Sequence, residues 1–159
     1  MRTFNVIDDF NRESLYIDVD VSLPSQQVVR SLQQIIAWRG KLLTLRCDNR
    51  PEFVSHELVD WVTKEQITLL YIQPEKPTQN AYIERFNRTA RQDWLSLNLF
   101  EDIEHVQLLA TQLQWTYNNI CPHSAIRGVP PRQLLKLRKP LFSIDANIGG
   151  LQNRLTKIA

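Results

Sequence analysis

Residues 42–50, L-L-T-L-R-C-D-N-R, and residues 80–97, N-A-Y-I-E-R-F-N-R-T-A-R-Q-D-W-L-S-L, bound the stretch around which the chain is organised. The first is a short apolar run that predicts a buried strand over Leu42–Cys47, with Asp48 at its carboxyl-terminal end, where open α/β sheets bind ligands. The second carries Ile83, Phe86, Ala90, Trp94 and Leu97 at helical spacing and predicts a helix over Asn80–Leu97. Asn80, Glu84, Arg88 and Arg91 form another stripe on that helix, turned by ~100° from the apolar one. Asp48 and Glu84 have 35 residues between them. A strand-end Asp and a helical Glu are how a chain brings two hard oxygen ligands to a divalent cation. Spacing alone leaves two readings of Glu84 open: such a ligand, or an i, i+4 partner of Arg88 worth ~0.2–0.5 kcal/mol to the helix.

Between these segments, Val54–Glu65 reads as a helix capped by Ser55 with Leu58, Trp61 and Val62 inward, and Ile67–Ile72 as a strand. Pro74 and Pro77 remove backbone donors, so residues 73–79 form a loop over the strand ends. On the amino-terminal side, Thr3–Asp9 and Leu15–Val21 read as a hairpin around Asn11-Arg12-Glu13, with the first strand at or near a sheet edge. Asp9 and Arg12 are expected to pair across that turn. Ser22–Gly40 reads as a crossover helix ended by Gly40. On the carboxyl-terminal side, Ile103–Asn119 is amphipathic through Val106, Leu109, Ala110, Leu113 and Tyr117, and Pro131 opens a short helix to about Leu137. His123 reads as a loop histidine bonded to backbone. Residues 1–139 therefore form one domain, and 140–159, with Gly149-Gly150, an irregular tail.

A chain of 159 residues suffices for one core burying ~70% of its unfolded surface. Hydrophobic and charged fractions of 43% and 23% are ordinary for a globular protein. No apolar run approaches the ~20 residues of a membrane span, and no secretory pattern opens the chain, so a cytoplasmic setting without membrane contact is expected. Cys47 and Cys121 have no metal-knuckle spacing and read as reduced thiols. The net charge of +2 hides an asymmetry: residues 1–75 hold 8 basic and 11 acidic side chains, residues 76–139 hold 9 and 5. The basic half contains the Glu84 helix and suits a phosphate-facing surface, or equally a solvated face.

The wording around both carboxylates adds to this. L-R-C-D-N-R-P-E-F at 45–53 and Q-P-E-K-P-T-Q-N-A-Y-I-E-R-F-N at 73–87 closely resemble the integrase-type core of bacterial insertion-sequence transposases. The resemblance extends to V-I-D-D-F-N-R-E at 6–13, Tyr117-Asn118-Asn119 and Pro122-His123-Ser124, and covers roughly residues 3–136. It implies an RNase H-like mixed α/β sheet flanked by helices and an Asp, Asp, Glu triad binding Mg²⁺ or Mn²⁺. Asp48 corresponds to the second Asp and Glu84 to the Glu. It further implies DNA as partner, met by Lys76, Gln79, Asn80, Arg85, Arg88 and Arg91, and a possible homo-oligomer.

The family's first Asp lies on a strand ahead of the one beginning here near Thr3. That strand is expected to be lacking, unless an upstream polypeptide supplies it. Asp8 and Asp9 match a turn and do not replace it. Arg50 stands where the family has Gly, bringing a charge able to hold phosphate or block metal access, and Cys121 stands where it more often has Arg. The expectation is therefore a transposition core with weak Mg²⁺ or Mn²⁺ binding and no catalysis alone; the alternative is a non-catalytic DNA-binding remnant.

Overall fold

The structure, a computed structural model, describes residues 2–73, 81–90, 102–138 and 155–158. Strands β1 (Arg2–Asp8) and β2 (Ser14–Asp20) form the expected antiparallel hairpin, with Val6 opposite Tyr16. Its turn closes through Asp8 N–H to the Glu13 carbonyl and Arg12 N–H to the Asp8 carbonyl. Arg12 takes a left-handed backbone with φ 64°. An L-residue adopts that conformation at a cost, which the predicted ion pair between its guanidinium and Asp9 helps to offset.

Helix α1 (Ser25–Arg39) ends where Gly40, at φ 89°, donates its N–H to the Ile36 carbonyl. Strand β3 (Thr44–Cys47) follows, then α2 (His56–Lys64), whose Ser55 cap accepts the Leu58 N–H, and strand β4 (Thr68–Tyr71) parallel to β3. Helices α3 (Ala81–Ala90), α4 (Ile103–Asn119) and α5 (Pro131–Arg138) are the remaining α-helices among the described residues; Trp94 and Leu97 lie outside them.

The five strands lie in the order β2-β1-β5-β3-β4, where β5 is Leu155–Ile158. This corrects two expectations. Residues 140–159 were read as an irregular tail, yet 155–158 form the central strand, antiparallel to β1 and parallel to β3. Nor is β1 an edge: it is paired on both sides, and β2 and β4 are the edges. The four-residue segment L-T-K-I has no periodicity long enough to read, and only the two unpaired ladders of β1 and β3 call it into the sheet.

Alternation along the strands sorts the core onto two faces. Phe4, Val6, Leu45 and Cys47 pack with Val28, Leu32 and Ile35 of α1 and Leu58 and Val62 of α2. Ile7, Ile17 and Val19 pack with Ile83, Phe86 and Ala90 of α3 and Val106, Ala110 and Tyr117 of α4. Burying each such large side chain contributes ~1.5–3 kcal/mol, so the second face suffices to seat α3. The edge of β2 is closed by side chains of α4. Gln107 donates to the Ile17 carbonyl at 2.9 Å and accepts the Val19 N–H at 3.0 Å. Gln114 donates to the Ser14 carbonyl at 2.9 Å. Asn118 both accepts the Ser14 N–H and donates to its carbonyl, each at 2.8 Å. Backbone groups that would template another strand are thereby satisfied.

Candidate functional site

Asp48 follows β3 directly, as the apolar run ending at Cys47 dictates. Leu45 and Cys47 pack in the α1–α2 cluster. The Asp48 carboxylate is already engaged. One oxygen accepts the Arg50 N–H at 3.2 Å, and the other lies 3.0 Å from Arg50 Nε. Arg50 thus puts its positive charge on the Asp48 carboxylate.

The neighbours of Asp48 are structural. Cys47 is fully buried, and burial together with the Asp48 charge pushes its thiol up to about 12, which makes it a poor nucleophile. Glu52 is buried beside Arg2, with Nη1 and Oε1 3.7 Å apart. Tyr71 on β4 donates its hydroxyl to the Phe53 carbonyl at 3.0 Å and ties the turn after Asp48 to the sheet.

Glu84 sits in the first turn of α3 and is exposed. Its helix is fixed by more than apolar packing. The Arg12 guanidinium stacks on the Tyr82 ring at 3.4 Å from the centroid, and Asn5 donates to Asn87 at 2.8 Å. Phe86 meets Tyr117 edge to face with centroids 4.7 Å apart. These contacts hold α3 against the β1–β2 hairpin, which sequence reasoning did not foresee because Arg12 and Asn5 lie seventy or more residues from their partners. The i, i+4 alternative is not realised: no ion pair joins Glu84 to Arg88 among the described residues.

Of the predicted DNA contacts, Arg85 and Arg88 are exposed on α3, while Lys76, Gln79, Asn80 and Arg91 lie outside the described residues. The Arg85 charge reaches Tyr117 and His123, opposing the upward shift of the first and deepening the downward shift of the second. His123 has its pKa lowered by burial, opposed by a bond to the Tyr117 backbone, and its ring lies 4.3 Å from the Tyr117 ring. It is the backbone-held loop histidine expected. No group of three or more Asp, Glu, His or Cys placed to hold a metal occurs among the described residues. No described helix is long and apolar enough to cross a membrane.

Sequence analysis also missed Glu13, whose side chain is only 2% exposed and meets both Arg39 and Arg132. It joins the hairpin turn to the end of α1 and the start of α5, and a buried acid in a turn sequence gives no local sign of such partners.

Integrase core domain families match residues 1–77 and 65–131. The insertion element IS476 uncharacterized 39.2 kDa protein of Xanthomonas euvesicatoria is 38% identical over 133 residues, which are 84% of this chain and 38% of that protein. The chain thus spans less than half the length of the curated relatives it matches. The catalytic core domain of BIV integrase superposes with a TM-score of 0.66 at 18% identity, covering 89% of this chain and 91% of that one. The HTLV-2 integrase catalytic core domain in complex with magnesium gives a TM-score of 0.60 at 21% identity, covering 81% of each chain.

Proposed function

We propose a function from one premise: the chain belongs to the integrase core domain family of insertion-element transposases and has the RNase H-like fold of integrase catalytic cores. On that premise it is a transposition core that engages DNA through the basic flank of α3 and does not break phosphodiester bonds by itself. The observation carrying this reading is the Arg50–Asp48 ion pair.

Two-metal phosphoryl chemistry needs carboxylates free to bridge two cations ~4 Å apart. Here Asp48 is held by Arg50, Glu84 is a single exposed carboxylate, and no third acid joins them among the described residues. This donor set does not fit a two-metal centre. Asp48 and Glu84 remain the assigned ligands for weak single-ion binding of Mg²⁺ or Mn²⁺, in which water completes most of the coordination. Arg85 and Arg88, with Lys76, Gln79, Asn80 and Arg91 of the adjoining sequence, supply backbone contacts to DNA that carry charge without sequence information.

The test is a strand-transfer and nicking assay on terminal-repeat DNA with Mn²⁺, run beside a binding titration. Binding that weakens steeply with salt, without cleavage, is the expected result. Robust cleavage abolished by Asp48→Asn would refute the non-catalytic reading, and salt-independent affinity would refute the DNA-binding one.

A further inference from the structure

We propose that the groove between α1, α4 and α5 binds a single nucleic-acid strand, with Trp38 and Trp115 stacking on unpaired bases and Arg132 meeting a phosphate, at a surface separate from the basic flank of α3. The groove has a volume of about 330 Å³, and its lining includes Trp38 and Arg39 at the end of α1, Thr111, Gln114 and Trp115 on α4, and Arg132 on α5. Trp38 is 67% exposed and Trp115 57%. Two indoles left open on one groove are apolar surface of the kind that marks a binding site. The platform is rigid. The Trp38 ring leans on Tyr16, with centroids 6.1 Å apart, and the Tyr16 hydroxyl is anchored by donating to Gln34 at 2.8 Å. Trp115 stands on the turn of α4 whose Gln114 and Asn118 are fixed by their bonds to Ser14.

The charge around the groove selects a polyanion. Helices α1, α4 and α5 together carry the cations Arg30, Arg39, Arg132, Lys136 and Arg138 against one acid, Glu104, in the first turn of α4 and about three turns before Trp115. Inside the groove, Arg39 and Arg132 share one carboxylate oxygen of buried Glu13, which leaves one positive charge in excess. Arg132 uses Nε there, at 3.0 Å, and its side chain is 46% exposed. Among the described residues no other bond engages its terminal nitrogens, so they are open to donate to a phosphate. Lys136, exposed one turn further along α5, extends the same face. A second copy of the chain in an isologous contact would set this excess charge against itself. A DNA duplex offers phosphates to the arginines but keeps its bases stacked inside, out of reach of both indoles. An unpaired strand presents bases and phosphates together, the combination that basic grooves with aromatic platforms bind.

The probe is a fluorescein-labelled oligothymidylate of about fifteen nucleotides, titrated into the full chain by anisotropy, with an oligouridylate of the same length beside it. Saturable binding of one or both is expected, with the unlabelled strand quenching tryptophan emission, and the tighter of the two identifies the sugar the groove prefers. Trp38→Leu and Trp115→Leu should each weaken binding about tenfold, and Trp115→Phe should retain most of it. All three should leave the affinity for a duplex of the same length unchanged, so that loss of this site and loss of the α3 contacts read out separately. Arg132→Gln should reduce the slope of log K against log salt by about 0.7, the share of one phosphate contact on a single strand. If Arg132→Gln does not fold, the two exposed tryptophans decide alone. Absence of saturable binding, or one affinity for wild type and both leucine variants, would overturn the inference. So would a dimer, seen by sedimentation, that Trp115→Leu dissolves and the oligonucleotide does not disturb.

Discussion

Replacing Arg50 with alanine should tighten Mn²⁺ binding, because it removes a charge that competes for Asp48. Arg50 Nε lies 3.0 Å from one Asp48 oxygen, and the two side chains are 49% and 27% exposed. Exposure at that level places the pair near the aqueous end of the electrostatic range, so the pair itself contributes only ~0.2–1 kcal/mol. A divalent ion on the carboxylate would also feel the guanidinium directly. Two unit charges 4 Å apart repel by ~1 kcal/mol in water, and a divalent ion roughly doubles that before side-chain relaxation reduces it. Together these give about 1–2 kcal/mol, or roughly a five- to thirtyfold gain in affinity. Water-proton relaxation by Mn²⁺, with titration calorimetry, measures it. Arg50→Gln should give a similar gain, since it keeps most of the bulk and removes the charge. In the Arg50→Ala background, Asp48→Asn should erase the gain. An affinity unchanged by Arg50→Ala, or a gain that survives Asp48→Asn, would refute the competition between guanidinium and cation.

Charge reversal by Arg85→Glu with Arg88→Glu should weaken DNA binding at low salt and shallow its salt dependence, each lost phosphate contact removing about 0.9 from the slope of log K against log salt; filter binding across a salt series checks this. Asn118→Ala leaves the buried Ser14 N–H and carbonyl without the side chain that bonds both, and should cost about 2–4 kcal/mol in urea unfolding. Phe86→Ala opens a cavity under α3 and removes its edge-to-face contact with Tyr117, for a loss of about 3–5 kcal/mol by the same measurement. For His123, burial lowers the folded pKa below its ordinary 6.5, so the unfolded chain binds the proton more tightly. Its contribution is therefore intact above pH 6.5 and is lost as pH falls from there through the folded value. His123→Gln should flatten the stability profile between pH 7 and 5 relative to wild type, and an unchanged profile would contradict the assignment.

Local signals in the sequence determined most of the elements. The β-branched and aromatic content of residues 3–9 and 15–21, the glycine after Arg39, the Ser55 cap and the 3.6-residue stripes of α2, α3 and α4 are all written within a turn or two of chain. The wording around Asp48 and Glu84 fixed their candidacy, and the substitution at position 50 raised the prospect of a blocked site before any geometry was known. Tertiary structure alone decided what depends on distant partners. It set Arg12 on Tyr82 and two arginines on Glu13. It turned Gln107, Gln114 and Asn118 of α4 into the cover of a strand edge. It also drew residues 155–158 into the centre of the sheet. A four-residue strand carries too little pattern to declare itself; what specifies it is the row of unpaired amides and carbonyls on β1 and β3, and those face each other only after the rest of the chain has folded.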